Sequence, residues 1–228
     1  MQIREVTNMG EYNKDYTRWL EQNILNIGYG HYEHTNLYGI PSMYECTLTD
    51  DEIIESKLQG FNYALTEKHP QDIGVHFFLH DYQFERVWKY PDRYTECLSK
   101  FKYLLAPDFS PYADLPPAIK IFNIYRKQWV ARYWQENGID VIPTFTMGCE
   151  KDFDFCITGI PKHSIVATST MGEGRWGDYI EFQELWDRFI ETVEPRTVLL
   201  YGKDIRDKLD TSKCNVIFKP YISTKARR

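Results

Sequence analysis

The sequence predicts an α/β domain: a mainly parallel sheet of βαβ units in a small (β/α)-barrel-like form, with an irregular N-terminal arm. Three observations predict it. Short, continuous apolar runs alternate with helical segments, the pattern of strands covered on both faces. The stretch Tyr103–Gly148 reads as strand, turn, long helix and strand, the repeating unit of a parallel sheet. No strand offers an obvious exposed edge, which favours the barrel-like form over its alternative, an open doubly wound sheet.

Taken in order, residues 1–38 have mixed polarity and weak helical periodicity around Tyr16, Trp19 and Leu20, and read as an arm packing on the body. A single α/β domain is expected over 39–222, followed by a basic tail over 223–228. Ile40–Met43 reads as a short strand, and Thr49-Asp50-Asp51-Glu52 as a helix start, its acids suiting the helix dipole. Phe61–Leu65 and Val75–Leu79 are apolar runs, the second followed by a helical segment ending near Phe101. After the long helix, which runs to about Asn137, comes the strand Val141–Phe145, then Phe153–Ile157, ambiguous between states. Ser164–Thr168 is strand-like, Ile180–Val193 is a helix closed by Pro195, and Thr197–Tyr201 is a buried strand. A short charged helix and the strand Asn215–Phe218 complete the series.

Composition limits the function classes. The chain has 228 residues, enough to bury a core without staples, and 17 Tyr and 13 Phe among its 16% aromatics argue against disorder. A net charge of −6 advertises no broad basic surface and argues against duplex nucleic acid, though not against a local basic groove. The five scattered cysteines, Cys46, Cys97, Cys149, Cys156 and Cys214, read as buried free thiols of a reducing cytosol. Cys149 and Cys156 are too far apart for a zinc knuckle, and no metal site is expected. No apolar run follows Met1–Glu5, and no window reaches the length of a membrane span, so a cytoplasmic protein without a membrane partner is expected.

In either architecture a ligand lies beyond the carboxyl ends of the strands. The residues there are His80, Asp81 and Tyr82; Asp108, Ser110 and Tyr112; Thr144 and Thr146; Thr168, Ser169 and Thr170; Tyr201 and Gly202. Asp and Ser after a strand are also ordinary turn and cap residues. Arg126 is the most informative of the candidates. On a helical wheel it falls inside an apolar stripe of Ile119, Phe122, Trp129, Val130 and Tyr133. A guanidinium carried inward needs an acid, and Asp81 and Asp108 are the nearest by fold logic. Two accounts stay open, a structural ion pair and a clamp for a ligand anion. Catalytic candidates are Asp81, Asp108 and His80; ligand-binding candidates are Arg126, Ser110, Tyr112, Asn123, Thr144, Gly172, Gly174 and Arg175.

The last three belong to Met171–Gly177, which contains a literal G-x-G-x-x-G after a strand and before a helix. Its bulky charged insertions, its late position and the absence of an acid at the tip of the next strand speak against a dinucleotide fingerprint. A loop, or a lid contacting phosphate through Arg175, fits better. Phosphate-loop, His-Glu-x-x-His and Gly-x-Ser-x-Gly signatures are absent, and the sequence leaves any cofactor open. His76 and His80, read within one strand, lie about 13 Å apart and cannot share a metal ion.

Three segments carry a family likeness: Phe77–Trp88, Ala106–Pro116 and Val141–Thr144, supported by Asn123-x-Tyr125-Arg126 and Gly159-Ile160. On these motifs, in order over roughly residues 40–205, the chain resembles the phage- and prophage-associated proteins grouped as domain of unknown function 4417. The resemblance implies a mobile-element protein acting in a bacterial cytoplasm and transfers no catalytic residue.

Three functions are compatible with these observations. The first is an enzyme or binding domain for a small anionic, phosphate-bearing molecule, with Asp81, Asp108, Ser110 and Arg126 forming the pocket. The second is a module binding a host protein through Tyr29, Tyr32, Tyr38, Trp176 and Tyr179. The third, handling of single-stranded nucleic acid, fits the net acidity least.

Overall fold

The structure, a computed structural model, describes residues 32–146, 149–171 and 179–221, all of which but Tyr32 fall within one compact unit, Glu33–Arg228. Most of the expected N-terminal arm, the Gly172–Gly177 loop and the basic tail lie outside the described residues.

The order is helix α1 (Asp50–Glu55), strand β1 (Lys57–Gly60), α2 (Phe61–Ala64), β2 (Ile73–His76), α3 (Glu85–Lys89), α4 (Pro91–Leu98) and β3 (Tyr103–Leu105). Then follow α5 (Pro117–Glu136), β4 (Val141–Ile142), α6 (Phe153–Cys156), β5 (Ile165–Ser169), α7 (Ile180–Val193), β6 (Thr197–Gly202) and β7 (Asn215–Pro220). All described strand pairs are parallel, in two ladders ordered β1-β2-β3-β4 and β5-β6-β7. A single bridge, Thr144 to Ala167, joins them, with Phe145 N donating to Ala167 O and Ala167 N to Pro143 O, both at 2.8 Å. The strands therefore lie side by side in sequence order.

The period of two along each strand divides the core into two layers. On one face Leu58, Phe78, Tyr103, Leu105, Ile142, Ile165, Ala167, Leu199, Tyr201 and Ile217 pack together, so all seven strand lines contribute. On the other, Val166, Val198 and Leu200 meet Phe182, Trp186, Phe189 and Val193 of α7. Gly74 is required by this packing, since a Cβ there would lie 2.3 Å from the Tyr103 ring.

The α/β class and the parallel βαβ units are as the sequence predicts, but the barrel is not closed: among the described residues β7 does not pair with β1. Helix α1 covers the free side of β7 instead. It is started by a capping box between Thr49 and Glu52. Asp50 accepts from Thr197 Oγ1 at 2.9 Å and Asn215 Nδ2 at 2.7 Å, while Lys219 Nζ donates to the Ile54 and Ser56 carbonyls at 2.9 and 2.7 Å. A sheet edge covered by a helix has no need of a closing strand.

Other elements differ locally. Ile40–Met43 is not a strand; Met43 N donates to Gly159 O at 2.9 Å, which pins the segment to another loop. Phe61–Leu65 holds the short helix α2, and the strand precedes it in the polar run Lys57–Gly60. Phe153–Ile157 resolves as helix α6. Of the cysteines, Cys46 and Cys156 are buried, Cys97 and Cys214 are half-buried and Cys149 is exposed.

Candidate functional site

Helix α5 builds the site. Lys120, Asn123, Ile124, Lys127, Ala131 and Trp134 recur at helical spacing and all are buried, so the helix turns a mixed polar and apolar stripe inward. Ile119, expected inside the stripe, is 46% exposed. Arg126 sits on the flank of this stripe, its side chain 11% exposed.

Lys127 is wholly buried, and its ammonium lies 3.7 Å from Asp108 Oδ1, just beyond β3. Thr146, beyond β4, connects the two: Lys127 Nζ donates to Thr146 Oγ1, and that hydroxyl donates to Asp108 Oδ1. Burial pushes the Asp108 carboxyl up and the Lys127 amine down, while each holds the other's charge.

Arg126 reaches a second set of acids. Its Nη1 donates to Glu85 Oε2 of α3 at 2.6 Å, and Nη2 stands 3.8 Å from Asp81 Oδ2. The guanidinium carbon lies 3.8 Å from the centre of the Phe109 ring. Nε is buried with no hydrogen-bond partner among the described residues. Asp81 accepts from the Ser110 N–H and hydroxyl, both at 3.2 Å, and Asn123 Nδ2 donates to Ser110 O at 2.7 Å. Burial raises the Asp81 carboxyl, aided by the nearby Asp108 charge and opposed by Ser110 and Arg126.

Lys120 forms a third pair on the same helix, 2.7 Å from Asp152 Oδ2, an oxygen that also accepts from Cys149 Sγ at 3.1 Å. Burial acts to raise Asp152, but the bonds from Lys120 and Cys149 outweigh it and hold the carboxyl below its ordinary range.

The structure thus brings Asp81, Asp108, Ser110, Asn123 and Arg126 to one helix, though not in the expected pairing. Asp108 belongs to Lys127, and the closest acid to Arg126 is Glu85. Thr144 is fully buried, with its hydroxyl 3.4 Å from Ala106 O, and serves the junction of the two ladders. His80 is exposed and stacks on Tyr82 at 5.9 Å, while Tyr112 is 48% exposed. Gly172, Gly174 and Arg175 lie outside the described residues. Of the residues expected in an exposed aromatic patch, Tyr38 is 43% exposed and edge-on to Phe155 at 6.3 Å, Tyr32 is half-buried and Tyr179 is buried, while Tyr29 and Trp176 lie outside the described residues. Lys120, Lys127, Glu85 and Asp152 were not anticipated; the spacing 120-124-127-131-134 was the signal for the two lysines.

Among the described residues no group of three His, Cys, Asp or Glu side chains is placed to hold a metal ion. No described helix is long and apolar enough to cross a membrane. A surface cleft of about 580 Å³, lined by Asp204, Arg206, Asp207, Cys214 and Asn215 among others, shares no residue with the α5 cluster. Its arginine is already held by Asp204 at 2.9 and 2.7 Å.

Comparison with known proteins gives a family and two phage relatives. A family described as "Domain of unknown function (DUF4417)" matches residues 32–219. The chain is 34% identical to the Gene 1 protein of Mycobacterium phage L5 over 175 residues, 75% of this chain and 74% of the relative. It is 39% identical to the Gene 1 protein of Mycobacterium phage D29 over 131 residues, 57% of this chain; the match spans about half of the relative, 48% of its length. No solved structure matches. The chain belongs to this phage-associated family of unknown function.

Proposed function

Within that family, we propose that this chain binds a small anionic, phosphate-bearing molecule at the carboxyl ends of β2 and β3, with Arg126 as the anion contact. The observation that carries the reading is the state of the guanidinium. Nη1 is held by Glu85, while Nε has no partner and Nη2 is 3.8 Å from its nearest acid. The Nε–Nη2 edge is the one that grips a carboxylate or phosphate bidentately. Glu85, 31% exposed, occupies Nη1 and leaves that edge clear. Ser110, itself held by Asn123, keeps Asp81 in place beside that edge. Asp81 and Asp108, both raised toward the neutral form, are the groups suited to carry a proton to or from a bound ligand.

A thermal-shift screen against nucleotides and sugar phosphates tests the reading. A ligand at a hundred times its Kd adds about 2.7 kcal/mol, raising Tm by roughly 5–10 °C for a chain of this size. Arg126→Met is expected to fold and to lose the shift. A screen in which no compound moves Tm, or a variant that responds like the wild type, refutes it.

A second reading, binding to a host protein, has its own support in Tyr82 and Tyr112, exposed by 77% and 48% on the segments that follow β2 and β3. Capture of one defined bacterial partner that is lost in Tyr82→Ala would favour it.

A further inference from the structure

We propose that the free edge of β7 is a strand-addition site for an extended segment of a partner protein in which apolar residues alternate with lysine or arginine. The site shares no residue with the α5 cluster and does not rest on the anion reading.

The connection into β7 makes this edge accessible. Every other pair of consecutive strands is joined through at least one α-helix, whereas β6 and β7 are joined through a single three-residue 3-10 turn, Arg206–Lys208. With no crossover helix to cover them, Val216 and Phe218 stay half-buried on the outer face, where the Arg206 guanidinium lies 5.2 Å from the centre of the Phe218 ring. Two clefts, of about 580 and 260 Å³, meet at Arg206, Asn215 and Val216 and together follow the strand from Cys214 to Lys219. Main-chain groups open onto this groove. Asn215 N donates to Arg196 O at 3.2 Å and Tyr221 N to Gly202 O at 3.0 Å, so the odd-numbered residues of β7 turn their N–H and C=O groups toward β6. Val216 and Phe218 turn theirs to the free side, where these groups have no hydrogen-bond partner among the described residues. Pro220, which has no N–H to offer, ends the run. Helix α1 touches the strand through the side chains of Asn215 and Lys219, on the face of the core residue Ile217, and leaves the main chain of Val216 and Phe218 open.

A row of open donors and acceptors beside a cleft is what an incoming strand pairs with, and the side chains along the groove decide which strand fits. Val216, Phe218 and Ile54 of α1, itself 56% exposed, offer apolar surface to alternate residues of the guest. The cations of the groove are engaged, Arg206 by Asp204 and Lys219 by the Ile54 and Ser56 carbonyls. Its acids are not: Asp207 on one rim, and Asp51 and Glu55 flanking Ile54 on the other, are exposed and have no ion-pair partner among the described residues. Acidic rims complement lysine or arginine on the guest, whereas a second copy of this chain would set acid against acid.

The test is binding of a fluorescein-labelled peptide, Lys-Val-Lys-Val-Lys-Val, to the full chain by anisotropy, with amide hydrogen exchange followed by NMR. The peptide is expected to bind saturably and to slow exchange of the Val216 and Phe218 N–H groups at least tenfold. Its acidic counterpart, Glu-Val-Glu-Val-Glu-Val, should bind at least tenfold more weakly. Val216→Pro removes one outward N–H without touching the ladder to β6, and should weaken binding of the basic peptide at least tenfold. The proposal is overturned by no saturable binding, by binding that leaves the two exchange rates unchanged, or by equal affinity for the acidic peptide or in Val216→Pro. A chain that dimerises without peptide and protects those two N–H groups also overturns it, since a second copy then holds the edge. Should Val216→Pro not fold, Asp51→Lys/Asp207→Lys takes its place: a tenfold loss of affinity for the basic peptide supports the site, and unchanged affinity overturns it.

Discussion

Replacing Lys127 with methionine removes the cation of the deepest ion pair and keeps all but the last atom of the side chain's length. In the native chain the ammonium is wholly buried and the Asp108 side chain is 16% exposed. The variant leaves Asp108 with the Thr146 hydroxyl as its described partner in a setting that disfavours its charge. Breaking a buried pair from one side costs about 3–5 kcal/mol, and the slight exposure of Asp108, with its freedom to take a proton, places this case at about 3. Urea unfolding at pH 7 reads that as a midpoint lowered by roughly 1–1.5 M with the slope unchanged. Asp108→Asn strands the lysine and should cost a similar amount. The double variant Lys127→Met/Asp108→Leu should recover most of the loss, because two apolar groups leave no charge unpaired. The pH dependence has a definite sign. In Lys127→Met the folded state holds the Asp108 proton more tightly than the unfolded chain does. Stability therefore falls as pH rises from about 3.9 through the raised folded value, and the penalty shrinks in acid. Single variants that each cost under about 1 kcal/mol and add in the double would refute the buried pair.

Other outcomes follow from the same geometry. His76, held at about 3 in the fold, takes up a proton in the unfolded chain from about pH 6.5 downward. It should lower stability as pH falls between those values, by up to about 5 kcal/mol, and acid titration of His76→Phe should lack that component. Asp152→Asn removes the acidic acceptor of the Cys149 thiol and frees Lys120 beside it. Iodoacetamide labelling of Cys149, followed by mass spectrometry, should speed up several-fold; an unchanged rate would mean that the thiol is not governed by that carboxylate. Ser110→Ala removes one of the two bonds to Asp81 and should cost about 1 kcal/mol in urea unfolding while raising the Asp81 carboxyl further. A variant with wild-type stability would remove Ser110 from the cluster.

The long elements were legible because pattern and punctuation agreed. Helix α7 has its apolar stripe and Pro195 just beyond it, and β6 is an unbroken apolar run. Strand β1 was hidden because Lys57-Leu58-Gln59-Gly60 is a polar edge, whereas Phe61–Ala64 is too short for its period to separate helix from strand. The expectation of a closed barrel came from the lack of an obvious free edge. That edge exists on β7, and α1 covers it through Lys219 and Asp50, contacts between residues more than 140 apart that no local pattern encodes. At the site, strand-end logic placed Asp81, Asp108 and Ser110 correctly beside α5. It mispaired Arg126 because Glu85 lies on a separate helix, α3. Lys127 escaped notice because the wheel was centred on Ile119, and a lysine is ordinarily solvated. Only the deeper stripe through Ile124, Ala131 and Trp134 reveals that both lysines point inward.

If the Nε–Nη2 edge of Arg126, left open while Glu85 holds Nη1, binds an anion, the guanidinium itself reports it. The direct measurement is the Arg126 Nε–Hε cross-peak, assigned by its loss in Arg126→Met, during titration with pyrophosphate, nucleotides and sugar phosphates. A saturable shift is expected with at least one of them, and several-fold tighter binding of that compound to Glu85→Gln, which carries one negative charge less beside the guanidinium. A cross-peak that none of these anions moves, in the wild type and in Glu85→Gln alike, would contradict it.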